Sequence, residues 1–433
     1  MTYQPIYKPP GKSSKRITST TSNQSSAHTI SQVLSPIKRK LKLAHYNYAL
    51  ERMIDFASAW VINSADTKFK ILLGQKIGLD AIYVAQISTR LSEMLCEAFT
   101  ICPSRDYERN FDQNTHLSNT QDIASFFTAL IKDMLTDLED YLDSGKNIED
   151  EPTLIILTHL RSILHHQVTS FQTLQIKPLT LVSIKLADDQ IAQPYDSMGA
   201  IPIIANIPGR PPNMHYSDKP DVDDKTFQET ARSLESLRKF LHFIYLGVEI
   251  PTMEVCARMM LDHRDMPLAF KLDLARQIWD EARHAAFMRR RMEELGCFEG
   301  EYAYSYPSWT SYMMGDDIAE QLAMLQVVTE GNGLDAGIFL ASELRNNGDY
   351  ETAEIFEYQN MDETTHAGLG NKWLLNLLNG SYEAYVSLVL SASEKIGRKI
   401  PGPAPLDIKA RLFAGYPARF IESLIGRSEH LNL

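Results

Sequence analysis

Cysteine is scarce in this chain, four among 433 residues, and no two form a Cys-x-x-Cys pair. Cys96, Cys102, Cys256 and Cys297 are scattered, which excludes a disulfide framework and a thiolate metal site and implies a reducing, cytoplasmic setting. Long apolar runs are also missing. Polar residues interrupt every hydrophobic stretch before bilayer-spanning length, so no membrane span is expected. The polar, proline-containing start, residues 1–16, lacks the apolar core of a signal peptide. Positive charge is in deficit too: a net charge of −12 argues against broad nucleic-acid binding. The hydrophobic content of 44% with 23% charged residues is that of a globular chain, and the length implies two domains.

Helical periodicity dominates what is present. Residues 1–42 form a basic, Ser/Thr-rich tail expected to be disordered. Within it, Gly11-Lys12-Ser13-Ser14 lacks the upstream glycine of a P-loop, and the basic run 35–42 reads as an exposed helix entry. Residues 43–172 read as an N-terminal helical bundle with helices near 43–62, 67–99, 120–144 and 152–172. Residues 173–224 are a Pro-rich linker or cover, in which Val182-Ser183-Ile184-Lys185-Leu186 alternates like a strand. Helical segments resume near 226–263, 267–295, 315–346 and 349–378 inside a domain spanning 225–392. A helical extension, 393–433, closes the chain after the breaker Pro401-Gly402-Pro403. The fold class expected is all-α, two helical bundles in series.

The chemistry lies in a repeated motif. Asp280-Glu281-Ala282-Arg283-His284-Ala285 and Asp362-Glu363-Thr364-Thr365-His366-Ala367 both read Asp-Glu-x-x-His-Ala. Residues i and i+3 share a helix face, so each copy aims a carboxylate and an imidazole at one point. A helical glutamate precedes each copy at nearly constant distance: Glu249 by 281 − 249 = 32 residues and Glu330 by 363 − 330 = 33. That spacing suits two antiparallel hairpins, in which each motif returns beside its glutamate. Glu249, Glu281, His284, Glu330, Glu363 and His366 then form the ligand set of a di-metal carboxylate bundle. Hard carboxylates with imidazoles suit two iron ions, with manganese the alternative. Glu281 and Glu363 are expected to bridge or chelate. Asp280 and Asp362 are expected to accept from the far ring nitrogen of each histidine, across the bundle.

Several neighbours qualify this site. Pro251 removes a backbone donor two residues after Glu249, so the helix should kink or bulge there. Gly331, Gly333 and Gly337 follow Glu330 and need a reason, either access for a small molecule or close packing. Met253, Trp279, Phe287 and Phe339 form an apolar stripe at helical spacing, which reads mainly as core. Tyr245, one turn before Glu249, is the candidate for a redox-active or substrate-contacting phenol. Arg289-Arg290-Arg291 reads as a solvated face.

A shift of 201 positions lays Phe69-Lys70 on Phe270-Lys271, Leu73 on Leu274, Ile77 on Ile278 and Asp80 on Glu281, but Tyr83 on His284. The first bundle thus reads as a degenerate repeat that has lost an imidazole, with Glu51 its one obvious counterpart to Glu249. His165 and His166 are adjacent and point apart on a helix, so they do not restore the motif.

Residues 226–378, through Glu249, the 280–285 and 362–367 motifs and Glu330 with its Gly-Asn-Gly-Leu-Asp, resemble the ferritin-like di-iron carboxylate superfamily. Residues 274–295 look more particularly like a bacterial ferritin-like family catalogued as a domain of unknown function, which is similar to tRNA-modifying di-iron hydroxylases. The resemblance implies a ferritin-like four-helix bundle and an oxidoreductase acting with dioxygen. It names no substrate, and the second helical half departs from a storage ferritin. The expected function is a di-iron oxidase or oxygenase acting on a small organic molecule with an external electron donor. The alternatives are a tRNA hydroxylase and a non-enzymatic metal-binding or peroxide-protective protein. A homodimer through bundle faces is expected.

Overall fold

Side-chain caps written in the sequence set the helix starts. Ser35 accepts from the Lys38 amide ahead of Pro36, Asp66 from Phe69, Ser104 from Tyr107, Asp349 from Thr352 and Asp407 from Ala410; each such cap satisfies a donor with no intrahelical partner. A computed structural model describes residues 34–95, 101–144, 148–185, 199–218, 222 and 224–431. Among them the chain is all-α. The helices are α1 (Pro36–Asn63), α2 (Thr67–Glu93), α3 (Arg105–Asp112), α4 (Thr120–Ser144) and α5 (Glu151–Gln172) in the first half. The second half holds α6 (Asp224–Glu229), α7 (Leu234–Phe243), α8 (Ile250–Asp262), α9 (Leu268–Glu294), α10 (Pro307–Met313), α11 (Ile318–Leu322), α12 (Glu330–Asn346) and α13 (Tyr350–Leu377). The chain ends in α14 (Tyr382–Lys395), α15 (Ile408–Phe413) and α16 (Ala418–Leu431).

Two π-helical segments interrupt this plan. Ile244–Glu249 joins α7 to α8, and Ala323–Thr329 joins α11 to α12. Each delivers one of the hairpin glutamates, Glu249 as its last residue and Glu330 as the residue that follows. The first has a local cause: Pro251 has no amide to give the Gly247 carbonyl, and Ile250 bonds one residue further back, to Tyr245.

Adding 201 to the first-half helices reproduces the second half. Thr67–Glu93 becomes 268–294, the bounds of α9, and Glu151–Gln172 becomes 352–373, inside α13. Thr120–Ser144 becomes 321–345, within the run from α11 to α12. Pro36–Asn63 becomes 237–264, against Leu234–Asp262 from α7 to α8. The first half has no π segments at the matching places, since α1 and α4 are regular throughout. The halves share one hydrophobic core. Gly74 and Gly78 of α2 lie directly against Met253 and against Ala282 and Trp279 of α9.

Three expectations change here. Residues 1–33 lie outside the described residues, but 36–42 of the segment read as tail are helical. Two of its basic side chains are buried partners and not part of an exposed face: Arg39 pairs with Asp150, and Lys42 with Asp137, which also accepts from Tyr46 at 2.7 Å. The described part of 182–186 forms no strand. Side chains pin it, Asn110 holding both polar groups of Val182 and Asp133 accepting from Ile184, so alternation follows contact with the helices beneath and not a ladder. Arg291 leaves the solvent to bond Thr352, Glu351 and Asp349 at 2.8–3.1 Å at the start of α13. The run Leu234–Asp262 is apolar and long enough to cross a membrane by composition, but 83% of its most apolar window is buried inside the protein.

Buried cations stitch the halves and the cover together. Lys70 of α2 donates to Glu254 of α8 at 2.6 Å and to the carbonyls of Val61 and Ile62, and Glu254 also holds Arg210 of the cover. Burial pulls the Lys70 ammonium down to about 8, against the charge of Glu254. Below that pH Lys70 is protonated in both folded and unfolded chains. Between about 8 and 10.5 the unfolded chain binds more protons, so raising pH over that window favours folding. Denaturant unfolding of the wild type and Lys70→Met across pH 8–10.5 should show the difference moving toward the wild type as pH rises. The Gly78 position sets a second expectation. An added Cβ would lie 2.3 Å from Trp279 Cβ, so Gly78→Ala should lower stability by about 1–3 kcal/mol. In an open helix the same change would raise it by about 1 kcal/mol. The melting temperature decides the sign.

Candidate metal centre

Glu249, Glu281, His284, Glu330, Glu363 and His366 are all buried and converge at the centre of the second-half helices. Glu249, Glu281, His284 and Glu363 can each offer a ligand atom within 4.8 Å of the others, and so can Glu281, Glu330 and His366. This cluster could hold a metal ion. The two groups meet at Glu281, which places one oxygen 3.4 Å from His284 Nδ1 and the other 3.2 Å from His366 Nδ1. Glu363 spans the same pair at 3.6 and 3.4 Å. Glu249 adds an oxygen 3.3 Å from His284 Nδ1, and the imidazole centroids are 5.8 Å apart.

The donor atoms facing inward lack well-formed hydrogen bonds: Glu249 Oε2, His284 Nδ1, Glu363 Oε2 and His366 Nδ1 are buried without a partner. Buried polar atoms are costly when unsatisfied, and four that point at one spot fit a cation as their missing partner. The electrostatics agree. Burial, reinforced by Glu281 and Glu363, pushes the Glu249 carboxyl well above its usual range, and burial with Glu363 and Glu281 does the same to Glu330. Burial opposes protonation of the imidazoles, yet the surrounding carboxylates outweigh it, raising His366 to about 10 and His284 well above its ordinary value. Protons hold the place where positive charge is required.

The outer contacts are reciprocal. His284 Nε2 lies 3.1 Å from Asp362, and His366 Nε2 lies 3.4 Å from Asp280, so each histidine meets the aspartate of the other copy. With Nε2–H donating to aspartate, Nδ1 is free to ligate. Arg283 ties both aspartates together, reaching Asp362 at 2.7 Å as well as Asp280, and Arg276 holds Asp280 at 2.8 Å. Both guanidinium groups lie over the Trp279 ring.

Two glutamines complete the shell that the motif alone did not reveal. Gln277 donates to Glu281 at 3.1 Å, and Gln359 donates to Glu249 at 2.8 Å and Glu363 at 3.2 Å. Each stands four residues before its motif glutamate. One more turn upstream, the repeat reads Gln-x-x-Asp-Glu-x-x-His-Ala in both copies, which is the signal that would have found them. Gln326, fully buried in the second π segment, continues the chain by donating to Gln277 at 2.8 Å.

Other candidates fall elsewhere. Tyr245 is fully buried, and its hydroxyl lies beside Thr67 and Glu299. Phe339 is 38% exposed, and Met253 packs on Gly74, which leaves Phe287, 5.4 Å from the His284 ring, as the member of the stripe against the site. Gly331 makes room for Tyr416 and Arg411, and Gly337 for Asn360, so both serve close approach. Gly333 faces open space.

Residues 172–422 match a family described as "Protein of unknown function (DUF455)". The chain belongs to that family. The DUF455 match contains all six ligand candidates and begins where the first four long helices end. An uncharacterized protein of Haemophilus influenzae is 25% identical over 191 residues, 44% of this chain and 64% of that protein. The chain thus spans 64% of the length of that curated relative. No solved structure matches.

The reciprocal aspartates can be tested without turnover. Asp362→Ala should weaken divalent-metal binding by about 10–100-fold with circular dichroism unchanged, as read by chelator competition. Unaltered affinity would remove Asp362 from the site.

Proposed function

We propose that the second half is a ferritin-like four-helix bundle holding two divalent metal ions, iron with manganese the alternative, and that the protein is a dioxygen-dependent oxidase or oxygenase of a small organic substrate. The observation that carries this reading is the pair of ligand groups joined at Glu281, with unpartnered His284 Nδ1 and His366 Nδ1 facing inward. Four glutamates and two histidines on paired helices are the donor set of di-metal carboxylate bundles, and four carboxylates match the charge of two divalent cations. Such a pair of ions, when bound, supplies two-electron redox and Lewis-acid chemistry.

The chain's own residues have separable tasks in this reading. Glu249 with His284 would hold one ion and Glu330 with His366 the other, with the carboxylates of Glu281 and Glu363 available between them. Asp280 and Asp362 keep the Nε2 protons on the histidines. Gln359 and Gln277 fix the carboxylates in orientation through their amide donors, and the buried surroundings exclude water. The constant 201-residue offset supports an origin of the first half as a second copy of the bundle, relieved of metal.

Protein produced in iron-supplemented cells should carry two irons per chain, and Glu281→Ala or His366→Ala should lose both metal and oxygen-dependent turnover. Two manganese ions would shift the reading toward peroxide chemistry. Wild-type protein without metal, or variants with undiminished oxygen consumption, would sink it.

A further inference from the structure

Three of the four candidate carboxylate ligands stand four residues after a glutamine: Gln277 before Glu281, Gln326 before Glu330 and Gln359 before Glu363. Gln277 and Gln359 donate to their own glutamates, as i and i+4 on one helix face allow. Gln326 does not follow them. Its amide crosses from the second π segment to Gln277 Oε1 at 2.8 Å, and it also reaches Cys256 Sγ, a weak acceptor, at 3.8 Å. Gly370 makes the approach possible, since a Cβ there would lie 2.2 Å from Gln326 Cβ. Gly370 stands one turn after His366 on α13, so Gln326 is seated against the turn next to that ligand candidate.

The direction of each amide follows from the charge at the end of the chain. A carboxylate only accepts, so Gln277 turns its NH2 toward Glu281 and its oxygen away, and Gln326 presents its NH2 to that oxygen. The last acceptor, Gln326 Oε1, is buried without a donor. Gln326, Gln277 and Cys256 are 0–1% exposed. Two buried amides with one oxygen left over fill a core less well than apolar side chains of like volume. What they add is direction at one atom. Gln277 donates to Glu281 Oε1, the oxygen 3.2 Å from His366 Nδ1, whereas Oε2 faces His284. Gln359 serves the opposite position, donating to Glu249 Oε1 and to Glu363 Oε1, which lies 3.6 Å from His284 Nδ1. No second amide holds Gln359. Its Oε1 is unpartnered, and Tyr245, four residues before Glu249, has its hydroxyl beside Thr67 and Glu299.

We propose that Gln326 is a positioning residue for the ion at Glu330 and His366, acting through Gln277 on the Glu281 oxygen of that side and leaving the ion at Glu249 and His284 untouched. This rests on the di-metal reading and adds separate control of the two positions. Without Gln326 the Gln277 amide can rotate by half a turn and set its oxygen against the carboxylate, a repulsion felt on the His366 side alone.

The test titrates metal-free, full-length protein with manganese(II) alone, by calorimetry. Wild-type protein should bind two ions per chain. Gln326→Met, which keeps the length and removes the amide, should weaken one of them about tenfold and leave the other at its wild-type affinity. Gln277→Met should weaken the same ion at least as much, and adding Gln326→Met to it should change nothing further. Gln359→Met should weaken the other ion, so that its combination with Gln326→Met weakens both. The melting temperature of the metal-free protein should not fall in Gln326→Met. Should that variant not fold, Gln326→Asn, one methylene too short to reach Gln277, takes its place. Equal weakening of both ions, or losses that add between Gln326 and Gln277, would mean a general packing role and overturn the proposal. Unchanged affinities overturn it too, with the di-metal reading left intact. Wild-type protein that binds one ion or none takes the di-metal reading down, and the proposal with it.

Discussion

Burying charge inside helical bundles requires a counter-charge for every group, and much of this molecule follows from that constraint. The two halves meet it differently on the same helix plan. In the first, Asp80, the residue that falls on Glu281, is held by the ammonium of Lys76 at 2.6 Å and by Gln167 at 2.8 Å. A cation built into the chain closes that core. In the second half the matching region gathers four glutamates and two histidines with no lysine or arginine among them, and the arginines stand one layer out, on Asp280 and Asp362. The difference between a packing bundle and a candidate metal centre is thus one of where the positive charge comes from.

The π segments are the second structural debt of the site, and the C-terminal extension settles it. A π turn shifts carbonyls out of the regular ladder, and beside Glu330 the hydroxyl of Tyr416 donates to the Val327 carbonyl. Arg411 donates to the Gly331 carbonyl at 2.9 Å and holds Asp335 at 2.7 Å. Gly331 is what lets Tyr416 come so close. The segment that carries Arg411 and Tyr416 therefore belongs to the architecture of the candidate centre, although neither is a ligand candidate.

The long helices were legible because their apolar periodicity is sustained and their caps are explicit; α2 begins at Thr67, where periodicity placed it. The convergence of the six candidate ligands was legible because i, i+3 spacing and equal hairpin lengths leave little freedom. What escaped depends on contacts between distant segments. Asp150 and Asp137 turn Arg39 and Lys42 into buried partners, and nothing near residues 36–42 announces it. The neighbours of the Tyr245 hydroxyl, Thr67 on α2 and Glu299 after α9, come from distant segments that local spacing does not carry. Pro251 marked the irregularity without giving its form. The strand read at 182–186 reflected burial on one side, which a pinned loop achieves equally well.

The ammonium of Lys76 is tethered by its own four methylenes, so it cannot be lost to a chelator or be lacking in a starved cell. During synthesis the first half leaves the ribosome ahead of the second, and the Lys76–Asp80 pair is neutral as soon as α2 forms, while Lys70 waits for Glu254 of the second half. α9, which carries Glu281 and His284, packs on α2 at Gly74 and Gly78. A wall that carries its own counter-ions thus backs the helix that bears Glu281 and His284, whose cluster contains no lysine or arginine.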